Sequence, residues 1–449
     1  MKTRRMYAIL LALVLLFNAA LSASGAWMGA ALAEGDSADE QVLVIKTPNY
    51  ESGYADYSLA AAFNRTHPGK KVIVEEIPDD RLLATEIMSG EADYMINGCY
   101  LDPFKYSTSG EFYDLYEWMN ADPDFHREDY YENLFTAMEC DGHLYAMPAT
   151  FLFSPVVIYL NGAIAEALGT SYQMLDTITP SEILDLYEAA KAQGLMAEDT
   201  PLVFEDAVAP GVLLVTATEY ASYVDLDART TNFSNPEFIA LLERTKQAHT
   251  EKRIEEGWGW TSSSSFSKAI TRQETDSLIK FSFIGLLQDP SWESDLAAMS
   301  DGMMGPLILQ TDNGVARASA YTAYMVPKSC TNPELAWEFI KFCIAPLDEE
   351  KGENPSNVMK TMTGKEFLLS KKNQALYAKM YRTFGSADFD ASLAKLEERI
   401  GEISVFDYYI QGIETLSMSI VSQYYDYGFI SAEECAKQID ERAYLYLNE

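Results

Sequence analysis

The sequence predicts an α/β protein of two lobes, each a mostly parallel sheet flanked by helices, and three observations carry that expectation. Short β-branched runs alternate with amphipathic stretches of helical period near the start of the chain, the pattern of a parallel sheet covered on both faces. The same alternation resumes after Asn161. At 449 residues, 48% hydrophobic and 22% charged, the chain can fill two cores and does not have the composition of a disordered protein.

Residues 1–33 read as an export signal. Lys2, Arg4 and Arg5 precede an apolar stretch, and Ala31-Leu32-Ala33 offers a small-x-small cleavage site before Glu34. An uncleaved membrane anchor is the alternative, since Met6 to Ala33 stays apolar or small apart from Asn18 and a few serines. Val42-Leu43-Val44-Ile45 then reads as the first strand. Tyr57 to Phe63 is amphipathic and helical, closed by Pro68-Gly69, and Val72-Ile73-Val74 is the next strand.

The run from Asp141 to Asn161 joins a turn, an aromatic patch and an apolar strand. Asp141-Gly142 supplies the positive φ angles of a tight hairpin turn, and Leu144 to Met147 alternates like a strand returning from it. Pro148 is expected to stop regular pairing, which leaves Phe151 and Phe153 in an irregular stretch. Val156 to Leu160 is apolar on both faces, as buried strands are. Helical runs follow at Ser181 to Lys191 and Pro236 to Glu256. Gly257-Trp258-Gly259-Trp260, followed by Thr261 and four serines, reads as a connector. Trp337 shares a helix with Phe339, Ile340 and Phe342 and belongs to a core, and Ser431 caps a last helix.

The run from Asp141 to Asn161 resembles the first inter-lobe crossing of the family 1 extracellular solute-binding proteins of ABC transporters, typically sugar binders. Tyr145, Ala146, Pro148, Tyr159 and Asn161 match that family's pattern. Four further segments agree in the family's order. Leu59 to Pro78 is similar to its first helix and second strand, and Ile87 to Tyr100 to the strand that enters the cleft. Tyr223 to Glu243 is similar to a distal-lobe turn and helix start, and Ala320 to Pro346 to the returning strand and the helix after it.

The resemblance implies a two-lobed periplasmic-binding-protein-like fold of type II, joined by crossing hinge segments. It implies a first lobe of 42–156 plus 304–347 and a second of 157–303 plus 348–449. It also implies a solute-binding component of an ABC importer that holds a carbohydrate, an oligosaccharide or sugar derivative, between the lobes. The expected partners are the solute and the permease transmembrane subunits. The expected state is a monomer with neither cofactor nor catalytic residue. Lipoproteins of the family carry a Cys soon after the apolar core, whereas the first cysteine here is Cys99.

Sugars present apolar C–H faces and polar rims, so their sites combine aromatic platforms with a few hydrogen-bonding groups. In open α/β sheets ligands lie beyond the carboxyl ends of strands, which selects Asn49, Tyr50 and Glu51 after the first strand and Asn97 and Tyr100 after Met95-Ile96. The resemblance selects the same loops and adds Phe153, Trp258, Trp260, Asp289, Trp292 and Tyr321. For Phe153 a place in the core is the standing alternative.

Charge and motifs narrow the alternatives. Without residues 1–33 the chain carries 30 basic and 68 acidic residues, a poor surface for nucleic acid. Five cysteines without a Cys-x-x-Cys spacing argue against a disulfide scaffold or zinc ribbon and leave a single bridge open. Ser265-Phe266-Ser267-Lys268 matches Ser-x-x-Lys but lacks its partner motifs. A secreted glycan-acting hydrolase is one alternative, because paired carboxylates are a spatial feature. A binder of a non-sugar solute such as a peptide or ferric iron is another, the iron resting on the pairs Tyr130-Tyr131, Tyr408-Tyr409 and Tyr424-Tyr425.

Overall fold

Gln41–Thr47 buries Leu43, Ile45 and Thr47 at alternate positions, the period-two pattern of a strand with one covered face, and forms β1. The computed structural model describes residues 40–48, 51–77, 80–98, 101–103, 106, 109–154, 157–196, 218–248, 279–282, 303–347, 367–380, 389–425 and 427–448. After β1 come α1 (Glu51–Thr66), β2 (Lys70–Glu76), α2 (Asp80–Ser89) and β3 (Met95–Asn97). α3 (Leu115–Ala121) and α4 (Glu132–Ala137) lead to β4 (Ala146–Ser154). Next are β5 (Val157–Asn161), α5 (Gly162–Ala167), β6 (Thr177–Ile178) and α6 (Pro180–Ala192). A ribbon of β7 (Val224–Asp225) and β8 (Thr230–Thr231) precedes α7 (Pro236–Ala248), β9 (Ile279–Ser282) and β10 (Met303–Leu309). β11 (Ala316–Met325), α8 (Pro333–Ile344), β12 (Phe367–Leu368), α9 (Lys371–Met380) and α10 (Phe389–Gly401) follow. β13 (Ile403–Phe406), α11 (Tyr408–Tyr425) and α12 (Ala432–Asn448) end the described chain.

Local chemistry sets several of these boundaries. Asp141 and Gly142 have φ of 53° and 78°, the hairpin turn expected from the sequence. Asn161 ends β5 and caps α5, its side chain accepting from the Ile164 N–H at 3.2 Å. At α6 a full capping box forms between Thr179 and Glu182, with Pro180 in the first turn. Thr179→Ala is expected to cost about 1 kcal/mol, measured as a shift in the denaturant midpoint at unchanged slope.

The first sheet runs β12-β4-β11-β3-β1-β2, with β13 also paired to β11, and the second runs β6-β10-β5-β9. Both are mixed, where the sequence predicted mostly parallel sheets. β1 pairs parallel with β2 and β3, but β11 runs antiparallel to β3 and β4, and β5 is antiparallel to β9 and β10. The reason is that chain segments passing between the sheets enter each one against the direction of its βαβ strands. The irregular stretch expected after Pro148 is also corrected. β4 continues through Pro148 to Ser154, and irregularities in β11 on either side of Thr322 absorb the missing donor.

Each sheet has its own core. Leu43, Ile45, Phe63, Phe151, Phe339 and Phe406 fill the first, and Ile158, Leu184, Phe233, Phe238, Ile413 and Ile439 the second. Sheet and core membership divide the chain differently from the expected bounds. β10 lies in the second sheet, where Leu307 and Leu309 fill the second core, while β12, α9, α10 and β13 join the first. The physical cause is packing at the outer edge of β4, where Phe367 lies 5.7 Å from Phe151 and 5.1 Å from Phe153. Strands of two to four residues carry too little periodicity to announce this. Trp337 is buried, with its indole N–H donating to Asp122 at 2.8 Å. No helix among the described residues is long and apolar enough to cross a membrane.

Candidate functional site: the strand ends and the three-crossing hinge

The carboxyl ends of β1 and β3 lie side by side and rest on a buried polar knot. The Asp56 carboxylate, on α1, is fully buried and accepts from Thr47 at 2.7 Å, Asn97 at 2.8 Å and Tyr324 at 2.7 Å. The knot thus ties α1, β1, β3 and β11 below the loops that leave the strand ends. Burial raises the pKa of Asp56, and the three donors pull it the other way. The backbone approaches closely here, since a Cβ on Gly98 would lie 2.6 Å from the buried Met325 sulfur.

Three passages link the two sheets, between β4 and β5, between β10 and β11, and between β13 and α11. One buried ion pair fastens all three. Arg317 at the start of β11 lies 3.1 Å from Asp407, which sits between β13 and α11. Asp407 also accepts from Ser154 at the end of β4 and from Ser319 at 2.8 Å, and its own N–H donates to the Ala318 carbonyl. Toward the second sheet, Arg317 reaches Glu414 of α11 at 3.5 Å and the Thr218 carbonyl at 3.4 Å.

Glu219 follows Thr218 and accepts from the Asp312 N–H at 2.6 Å and the Ser222 hydroxyl at 3.0 Å. Burial pushes both Glu219 and Glu414 up to about 7. Contacts also run between the two sheets' structures elsewhere. The Tyr446 hydroxyl donates to Asp102 at 2.6 Å while its ring covers Gly412, and Arg229 lies 3.6 Å from Asp141.

Few of the residues expected at the site are brought together. Asn97 is buried, and its amide nitrogen is committed to Asp56, so it supports the strand ends from beneath. Phe153 is 6% exposed and edge-on to Phe367 in the first core, the environment of its alternative reading. Tyr321 is half-buried in β11 at a register irregularity. Glu51 begins α1. Asn49, Tyr50, Tyr100, Trp258, Trp260, Asp289 and Trp292 lie outside the described residues, as do Ser265 to Lys268 and Cys99.

Sequence reading missed Asp56, Arg317, Asp407, Glu219 and Glu414. The one available signal was Arg317, a lone cation in the small-residue run Ala316-Arg317-Ala318-Ser319-Ala320. Tyr130 and Tyr131, and Tyr424 and Tyr425, are buried within cores, which fits packing. Among the described residues no group of three or more His, Cys, Asp or Glu side chains could hold a metal ion.

A family model for bacterial extracellular solute-binding proteins matches residues 47–346. No curated protein matches the chain. Among solved structures, an ABC transporter solute-binding protein from Agrobacterium radiobacter K84 in complex with ribitol aligns with a TM-score of 0.57 at 16% identity, over 90% of this chain and 98% of that one. An ABC substrate-binding protein from Listeria monocytogenes in complex with cycloalternan gives 0.57 at 17% identity, again over 90% and 98%. The sugar-binding protein MalE from Xanthomonas citri gives 0.61 at 13% identity, over 91% and 98%. At such identities the likeness speaks for the fold.

Proposed function

The chain belongs to the bacterial extracellular solute-binding proteins, and on that premise we propose that it captures a carbohydrate between its lobes and delivers it to an ABC permease. The observation that carries this reading is the three-crossing hinge fastened by Arg317 and Asp407, which lets two separately packed cores change their angle without unfolding either. A solute touching both lobes then favours the closed state by its differential contacts, and no covalent step is needed.

Carbohydrate is the proposed class for two reasons. The chain is 12% aromatic, a composition that can supply stacking surfaces, and the structurally similar proteins named above include ribitol and cycloalternan complexes. We assign ligand contacts to the loops after β1 and β3, at Asn49, Tyr50, Glu51 and Tyr100, with Trp258, Trp260, Asp289 and Trp292 from the second lobe and Tyr321 from β11. Asn97 supports them from below. Export through residues 1–33 and action as a monomer complete the reading.

A thermal-shift screen over mono- and oligosaccharides, amino acids, peptides and ferric citrate tests the class. A solute at a hundred times its Kd adds about 2.7 kcal/mol to stability. A sugar is expected to raise Tm by several degrees. A shift produced by a peptide, amino acid or ferric citrate and by no sugar would remove the carbohydrate assignment.

A further inference from the structure

Among the described residues, the hinge gathers more carboxylates around Arg317 than one cation balances. Arg317 is buried and faces Asp407 at 3.1 Å and Glu414 at 3.5 Å, and its contact with the Thr218 carbonyl brings Glu219 into the same field. Asp312 adds a fourth carboxylate beside Glu219. The hydroxyls of Tyr220 and Tyr223, on the turn that holds Glu219, also face the cluster, and Tyr408 follows Asp407. Asp407 belongs to a crossing, whereas Glu219 and Glu414 sit on second-core elements. Charge on the two glutamates therefore acts between the crossings and the second lobe.

We propose that the hinge is a proton-responsive joint, in which proton uptake by Glu414 and Glu219 holds the lobes in the arrangement seen here and proton loss drives them apart. The proposal rests on the reading that the lobes move about this hinge. With both glutamates protonated, Arg317 balances Asp407. When they ionise, burial disfavours the two carboxylates by more than Arg317 and their hydrogen bonds return, with Asp407 and Asp312 adding a smaller repulsion, and the second-lobe turn and α11 move from the crossings so that water reaches them.

Burial is the leading cause that lifts both carboxyls from their ordinary 4.5 to about 7, which puts the change near neutrality. The Glu414 side chain is 30% exposed, so solvent screens part of its share, while Glu219 is more completely enclosed. The sign is fixed by linkage. A carboxyl whose folded pKa lies above its unfolded one contributes stability that is complete below the ordinary range and is lost as pH rises through about 7.

Small-angle scattering of the solute-free full chain between pH 5 and 8 tests the proposal, comparing wild type with Glu414→Gln and with the Glu219→Gln/Glu414→Gln double variant. Glutamine keeps an acceptor for Arg317 and for the Asp312 N–H, and circular dichroism establishes that each variant is folded. In wild type the radius of gyration should rise with pH, with a midpoint near 7. The single variant should lose part of the rise, and the double variant should stay at the acid value with a flatter Tm against pH. A wild-type radius that does not change overturns the proposal, and so does an equal rise in the double variant, which would mark general repulsion in an acidic chain. No solute enters the experiment, so its failure is separate from failure of the carbohydrate reading.

Discussion

Arg317→Ala should destabilise the protein by about 3–5 kcal/mol, because it strands the buried Asp407 carboxylate without its cation. Arg317 and Asp407 are each 2% exposed, so water cannot substitute for the lost partner. The loss also loosens the join of the three crossings, leaving Asp407 held by Ser154, Ser319 and the Ala318 carbonyl alone. Chemical denaturation followed by circular dichroism measures the effect. The paired replacement Arg317→Met/Asp407→Leu separates charge from packing, as apolar residues of similar volume commonly replace a buried pair at little cost. A double variant as unstable as Arg317→Ala would show that desolvated charge is not what makes the single change costly.

Asp56→Ala is the second large effect. It removes the acceptor shared by Thr47, Asn97 and Tyr324, all within 2% of full burial. Each stranded donor costs roughly 1–3 kcal/mol, so a loss of about 3 kcal/mol or more is expected in the same denaturation experiment. Asp56→Asn keeps an acceptor oxygen and the side-chain volume, and should restore a good part of that loss. Because the knot lies beneath the ends of β1 and β3, the alanine variant should also bind solute more weakly than its stability loss alone explains. Equal affinity in the remaining folded protein would confine Asp56 to a structural role.

What could be read in the sequence follows the range of the interactions involved. β1 and β2 announce themselves through short runs rich in β-branched residues, and the turn at Asp141 and Gly142 through the φ angles those residues adopt. The core place of Trp337 is visible in its apolar helical neighbours. β4 was harder, because the residue that argues against a strand, Pro148, is accommodated by irregularities in a partner strand whose Ala323 lies opposite it, far along the sequence.

The hinge was invisible for the same reason. Arg317 and Asp407 are 90 positions apart, and nothing local to either predicts the other. Asn97 was correctly set at the strand end, yet its amide turns inward to Asp56, a choice made by tertiary contacts. Ligand-facing side chains depend on loops, where single residues decide which hydroxyl is satisfied.

The central claim is reversible capture of a sugar by two lobes without chemistry. Calorimetric titration of the sugar that gives the largest thermal shift, followed by chromatography of the sugar recovered from the cell, tests it most directly. The account predicts saturable binding of one sugar per chain and recovery of that sugar intact. A cleaved or otherwise altered sugar would contradict it and turn the protein into a hydrolase.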